Sequence, residues 1–349
     1  IGIEEETVKA LVAGDRGLEV IDQPDPRPKP QEVVVSVQSC GICGSDVHRV
    51  EAGMAQQGQI MGHEFAGTIV ELGREVSGWR AGQAVAVNPL AGCGSCEMCR
   101  RGLLIRCPNM PNLGLNAHGA YAQYVAAHHS QLFALPDGMS LEEGARVEPL
   151  SVALRAIVEA HPNPGDNALV FGVGPIGLNV ILGLRASRAG QIVAVGRSAG
   201  RREAAAKVGA DIVLDSRETD VVQHVTDSGI PISQAYECSG DPQALLICTQ
   251  AVRVGGTIAQ LALGTKPASV DTRLLVNRNT HLVGSCAYGN ADFGRALELI
   301  ASGRVDAKQL ISERVPLSEA PDAFERLRHP GSLVAILVQP WGSPVAGSR

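Results

Sequence analysis

The sequence predicts an α/β protein in two parts: a compact, mainly β region up to about Ser151, then a parallel, doubly wound sheet. Three observations carry this expectation. At 349 residues the chain is long for one domain and suits two of about 100–200 residues each. Before Ser151, short β-rich runs at 31–37 (QEVVVSV), 67–72 (GTIVEL), 83–87 (QAVAV) and 121–126 (YAQYVA) are separated by Gly, Pro and polar turns. After it, strand-like runs at 168–171 (ALVF), 191–195 (QIVAV), 211–214 (DIVL), 234–238 (QAYEC), 257–263 (TIAQLAL) and 281–285 (HLVGS) alternate with helical segments such as 176–188 and 200–208. Such alternation implies right-handed crossovers and a parallel sheet. The tail offers a helix at 291–302 and a strand at 333–338 (LVAILV), read as rejoining the first region with the active site in the cleft between. The expected divisions are 1–151, 152–286 and 287–349.

Composition narrows the function. Apolar residues make up 45% and charged residues 19%, which fits a folded globular chain and not a disordered one. The formal charge of −6 comes from interspersed acids and bases without a Lys/Arg run, so a nucleic-acid partner is not expected. No apolar stretch reaches the span of about 18 residues a membrane helix needs, and Ile1–Val12 lacks the basic flank and apolar centre of a signal peptide. A cytoplasmic protein with no membrane partner is expected. Six of the nine cysteines are clustered, Cys93, Cys96, Cys99 and Cys107 in one group and Cys40 and Cys43 in another, which favours metal binding over disulfides.

A cofactor fingerprint follows the first strand of the second part. Gly172, Gly174 and Gly177 form G-x-G-x-x-G directly after Ala168–Phe171, with Pro175 and Ile176 opening a helix-compatible stretch. The first two glycines let the backbone turn under a pyrophosphate, the third lets helix and strand pack closely, and the helix N-terminus faces the anion. About twenty residues on, where an NAD site places an acid against the ribose, the strand ends in Gly196, Arg197 and Ser198. The glycine removes a carboxylate that would repel a 2′-phosphate, while Arg197, Arg201 or Arg202 and the Ser198 hydroxyl could bind one. NADP(H) is therefore the preferred cofactor; the alternative is that these arginines solvate a helix end and Asp215 serves NAD.

Two metal constellations stand out. Cys93-x2-Cys96-x2-Cys99-x7-Cys107 can close four thiolates around a tetrahedral zinc with no open position, a structural site, and the spacing does not match ferredoxin runs. The second comprises Cys43 within C-G-I-C-G-S-D-V-H (residues 40–48), Gly62-His63-Glu64, and Glu148-Pro149. Thiolate, imidazole and carboxylates from separate loops suit a zinc with one position left for water or substrate. Singly, each of these residues has an ordinary packing or surface reading.

Together these segments, in this order, resemble the zinc-containing medium-chain dehydrogenase/reductase family over nearly the whole chain. Glu148-Pro149-Leu150-Ser151-Val152 is similar to the polyol (sorbitol and butanediol) dehydrogenase branch. The resemblance implies a GroES-like, mainly β catalytic domain joined to a six-stranded Rossmann cofactor domain. It implies two zinc ions per chain, with Cys43 and His63 as catalytic ligands and Glu64 as a ligand or close neighbour. Glu148 would be a ligand or the group that holds the metal's water, and Ser45 and His48 would relay a proton to solvent. The activity implied is hydride transfer between a secondary alcohol, diol or polyol and NAD(P), by a homotetramer or homodimer. The strand at 281–285 is a candidate edge for pairing two cofactor domains.

The likeness has gaps. Where sorbitol-type enzymes carry an Arg-Tyr pair, this chain reads Ala287-Tyr288, which loses one polyol contact, and Val50 stands where an aromatic often faces the pocket. Diol, cyclitol, threonine-like and simple secondary alcohol substrates therefore compete with a sugar alcohol. A non-catalytic, zinc-stabilised NADPH-binding protein is the reading from a different class, and it requires a broken catalytic constellation. His118 is assigned a pocket role, and Cys40, Cys238, Cys248 and Cys286 are taken as structural.

Overall fold

A computed structural model describes residues 7–14, 17–90 and 92–342. The second half is the expected parallel sheet. Its six strands lie in the order Ile212–Asp215, Ile192–Gly196, Asn167–Phe171, Ile232–Glu237, Val252–Gln260, His281–Gly284, all parallel. The chain thus winds outward from Asn167–Phe171 in one direction, then returns to its other side at Ile232–Glu237. The carboxyl ends of those two strands form the switch point, where open α/β sheets leave a crevice for ligands. Central strands such as Ala168–Phe171 are apolar on both faces because helices cover both, giving two buried clusters.

The first half is a seven-stranded sheet in the order Ile311–Pro316, Ala335–Gln339, Glu32–Gly41, Glu64–Leu72, Ala84–Val87, Leu132–Ala134, with Tyr124–His128 paired to Glu32–Gly41. Two of these strands come from the C-terminal segment, so the tail does rejoin the first region: Leu337 and Val338 pair antiparallel with Gly41 and Cys40. An antiparallel pair, Thr7–Gly14 with Gly17–Pro24, lies alongside. A third apolar cluster, built on Val33, Val35, Phe65, Ile69 and Val85, fills this half.

Some expected element bounds move. The helix Val147–Ala160 runs through position 151, and its first turn tolerates Pro149 because that position needs no intrahelical N–H. The same helix delivers Glu148 to one side and packs Leu154 and Ile157 against Gly183 of the helix Pro175–Ala186. The strand expected at 257–263 runs Val252–Gln260, and that expected at 121–126 runs Tyr124–His128. Among the described residues no helix is long and apolar enough to cross a membrane.

Candidate metal and cofactor site

Cys43 ends the extended segment after Glu32–Gly41 and is the N-cap of the helix Gly44–Glu51. Its sulfur accepts from Ser45 N at 3.5 Å and Ser45 Oγ at 3.2 Å, as a cap side chain satisfies free N–H groups. His63 and Glu64 follow Gly62, which has φ +94° and no room for a Cβ, since one would sit 2.9 Å from the Tyr121 ring. The backbone here must turn sharply against Tyr121, and only glycine adopts that φ at no steric cost. The result brings the Cys43 sulfur, an imidazole nitrogen of His63 and a Glu64 oxygen within 4.8 Å of one another.

Buried acids and a guanidinium surround this cluster. His63 Nδ1 lies 3.6 Å from Asp46 Oδ1, and neither atom has a hydrogen-bond partner. Asp46 Oδ2 accepts from Tyr121 Oη at 2.7 Å, which holds the carboxylate behind the imidazole. This is the arrangement that fixes the tautomer of a metal-binding histidine and leaves Nε2 as ligand. Burial opposes a charged His63, yet the Asp46 and Cys43 anions outweigh it and raise its pKa well above the usual value. Burial likewise raises the Cys43 thiol, against the lowering effect of His63. Glu64 accepts from Arg146 Nη1 at 2.7 Å in a pair sealed from solvent. The donor types fit zinc, and two orphaned buried atoms are what an ion binding on the far side of His63 would leave oriented.

Glu148 stands apart from the three-donor cluster. Its Oε1 accepts from Tyr288 Oη at 2.8 Å, and burial pushes its carboxyl up to about 7 against the lowering effect of His63. Ala287, with φ +63°, sits in the left-handed region and turns Tyr288 into the core. Ser45 and His48 share one face of Gly44–Glu51 at a spacing of three. Both are exposed; His48 Nδ1 lies 3.4 Å from Glu51 Oε2, whose other oxygen accepts from Arg328 Nε at 2.8 Å.

The four-cysteine loop gathers its sulfurs within 4.8 Å of one another, with Cys96 and Cys107 at 3.9 Å. A tetrahedral zinc with Zn–S of about 2.3 Å needs sulfurs about 3.8 Å apart, whereas a disulfide needs about 2.05 Å. Donors from Ser95 Oγ and Asn109 Nδ2 reach Cys93, and they pull its thiol down to about 5. This donor set fits a closed zinc site.

The cofactor crevice is a cavity of about 770 Å³ lined by Gly172, Gly174, Gly196, Arg197, Ser198 and Arg201, and also by Arg217 and Arg328. Gly172 has φ +102°, and a Cβ on it would come 2.6 Å from Ser239 N. A Cβ on Gly177 would collide with Gly172 O, so Gly177 packs beneath the turn as expected. Pro175 opens the helix, and Ile176 packs against the core and not into the cavity. Gly196 has a second reason to be glycine: a Cβ there would collide with Val173.

The phosphate-binding expectation changes in detail. Ser198 Oγ caps Arg201 N and donates to Gly331 O at 2.6 Å, and Arg201 Nε and Nη2 donate to Leu333 O at 2.9 and 2.7 Å. Both side chains are thus committed to the chain, with Arg201 Nη1 left facing Gly174. Arg197 is exposed and has no partner among the described residues. Asp215 lies beside Gly196 in register, but Arg202 and Arg217 grip it at 2.6 and 2.7 Å, and the Arg217 guanidinium holds its carboxyl far below the usual range.

Asp46, Arg146 and Arg217 were not singled out by sequence. Asp46 lies inside the C-G-S-D-x-H segment, so its position was a signal; nothing local marks Arg146. His118 accepts from Ile60 N at 3.3 Å and lines a separate cavity of about 620 Å³ that holds none of the metal-site residues. Cys40 and Cys248 are buried as structural residues, whereas Cys286 is exposed.

Comparison with known proteins agrees with this geometry. Residues 29–137 match the alcohol dehydrogenase GroES-like domain, and residues 175–302 match the zinc-binding dehydrogenase family. The chain is 32% identical to sorbitol dehydrogenase of Bacillus subtilis over 343 residues, covering 95% of this chain and 96% of that protein. Among solved structures, 2R,3R-butanediol dehydrogenase from Bacillus subtilis superposes with a TM-score of 0.88 at 31% identity, covering 96% of this chain and 100% of that one. A zinc-binding dehydrogenase from Sinorhizobium meliloti bound to NADP gives 0.89 at 28%, with coverage of 96% and 100%.

Proposed function

Because the chain belongs to the zinc-type medium-chain alcohol dehydrogenase family, in its polyol dehydrogenase-like branch, we propose that it interconverts a diol, polyol or other secondary alcohol with its ketone, using NADP(H). The observation that carries this reading is the Cys43, His63 and Glu64 donor cluster, together with the buried Glu148 that Tyr288 orients. When bound, zinc supplies Lewis acidity to an alcohol oxygen and the nicotinamide accepts hydride. The chain's own residues do the rest. Cys43 and His63 would hold the ion, with Asp46 behind His63. Glu148 would hold a hydroxyl or water, and Ser45 Oγ with His48 would pass a proton to solvent along one helix face.

Support for NADP is twofold. Arg197 is an unpartnered cation at the crevice, and Asp215, the acid an NAD site would need, is neutralised by two guanidiniums. The Sinorhizobium relative's bound NADP favours the same choice. We further propose two zinc ions per chain, the second in the four-cysteine loop. The division is taken as a catalytic domain over 1–151, a cofactor domain over 152–286 and a returning segment over 287–349. The exposed edge strand His281–Gly284 supports a homodimer or homotetramer, and the reliance on reduced thiolates supports a cytoplasmic location.

The test is a panel of secondary alcohols, diols, polyols, cyclitols and L-threonine with zinc-loaded protein, following reduced cofactor with NADP and NAD in parallel. Faster turnover with NADP on any member supports the reading, and the best substrate fixes the branch. Turnover with NAD alone defeats the Arg197 argument, and none with either cofactor favours a non-catalytic NADPH-binding protein.

A further inference from the structure

Arg146 is the one lysine or arginine among the described residues that is buried, at 1% exposure. It sits at the junction of the helices Leu141–Ala145 and Val147–Ala160. The guanidinium enters the core and gives Nη1 to Glu64 Oε2 at 2.7 Å, while Nε and Nη2 have no partner. Burying an arginine with two orphaned donors is destabilising, and a well-packed apolar side chain of similar volume would fill the space at less cost. Packing therefore does not account for this residue. The strand opposite is shaped for the pair: a Cβ on Gly41 would collide with Glu64 Oε2 and sit 3.2 Å from Arg146 Nη1.

Glu64 is the carboxylate of the three-donor cluster. A carboxylate paired with a guanidinium has less charge to give a metal, and a single-handed contact at one oxygen fixes where the group pivots. We propose that Arg146 is a positioning residue that restrains Glu64 as a neighbour of the catalytic metal and keeps it from becoming a permanent ligand. This inference rests on the metal-site reading above. With the guanidinium gone, the nearest countercharge for a buried Glu64 is the metal itself, so the ion is held more tightly and its open position closes.

The experiment uses full-length protein with zinc kept in the four-cysteine loop and cobalt(II) placed at the Cys43 site. In Arg146→Met, the cobalt d–d bands weaken and shift as the coordination number rises, and retention of the ion against a chelator increases about tenfold, the scale of neighbouring-residue effects on metal affinity. In Arg146→Lys, the bands stay close to wild type. In the Glu64→Gln background, removing Arg146 changes neither readout. Gly41→Ala, which pushes Glu64 off the guanidinium, reproduces the Arg146→Met spectrum and supplies the test if Arg146→Met does not fold. Unchanged bands and retention in Arg146→Met or Gly41→Ala overturn the proposal, as does an equal effect of removing Arg146 when Glu64 is already Gln. Failure of wild-type protein to bind a second metal ion at all defeats the metal-site reading itself, and this proposal with it.

Discussion

Tyr288 Oη donates to Glu148 Oε1 at 2.8 Å across 140 residues of sequence, joining the segment after the strand His281–Gly284 to the first turn of the helix that carries Glu148. Both groups are buried, so the bond fixes which way the carboxylate faces. A hydrogen bond to a charged group contributes about 1.5–3 kcal/mol. Tyr288→Phe is therefore expected to lower kcat/KM by about 10–100-fold while zinc content stays at the wild-type value, measured by steady-state kinetics and elemental analysis. Wild-type kinetics in this variant would mean that the orientation of Glu148 is not used.

The four-cysteine loop should act on stability and not on chemistry. Its sulfurs converge from Cys93 to Cys107 around a loop with only two short helical turns, Glu97–Arg100 and Leu104–Arg106, so a metal is the main order available to it. Cys99→Ser is expected to lower the zinc content by one ion per chain. It should also lower the Tm of the half that carries the loop by about 5 °C, since each kcal/mol moves a domain of 150–250 residues by about 2–4 °C. Retention of both ions would show that three thiolates suffice.

What could be read from sequence was local. The glycine turn and the four-cysteine spacing each announce themselves within about fifteen residues, because turn geometry and metal ligation impose short spacings, whereas the Cys43 and His63-Glu64 segments speak only together and through the family resemblance. Partners that meet through the tertiary fold leave no such trace: Arg146 finds Glu64 across 82 residues and Tyr288 finds Glu148 across 140. The strand Ile311–Pro316 (ISERVP) was missed because an edge strand carrying charges reads as a loop until its neighbour Ala335–Gln339 is known. Ser198 and Arg201 line the crevice, but sequence could not show that the returning segment, through Gly331 and Leu333, already occupies them.

That last point separates two arginines. On the NADP reading Arg197 would meet the 2′-phosphate, whereas Arg201 is bonded to Leu333 O. Arg197→Ala should raise KM for NADP by about 10–100-fold, the loss of a charged hydrogen bond, and leave KM for NAD unchanged. Arg201→Ala should weaken both cofactors alike. Equal effects of Arg197→Ala on the two cofactors would remove it from phosphate recognition.

The returning segment is also fastened electrostatically, and that fastening is pH-dependent. Arg314 on Ile311–Pro316 grips Glu142 with Nε at 2.6 Å and Nη2 at 2.7 Å, and Gln339 Nε2 donates to the same carboxylate at 3.2 Å. The Arg314 hydrogen bonds hold the Glu142 carboxyl below its usual value, with Lys308 adding to them and Glu143 opposing. A folded-state pKa below the unfolded one means the stabilisation is fully present above the unfolded value of about 4.3 and is lost as pH falls through the folded one. The pair is partly exposed, so its contribution is about 0.5–1 kcal/mol after solvent screening. Arg314→Gln should then be less stable than wild type by that amount at pH 6–8 in urea unfolding. The difference should shrink as pH falls below about 4, because protonated Glu142 no longer distinguishes the two side chains. A difference constant down to pH 3 would assign the role of Arg314 to packing of its aliphatic stem.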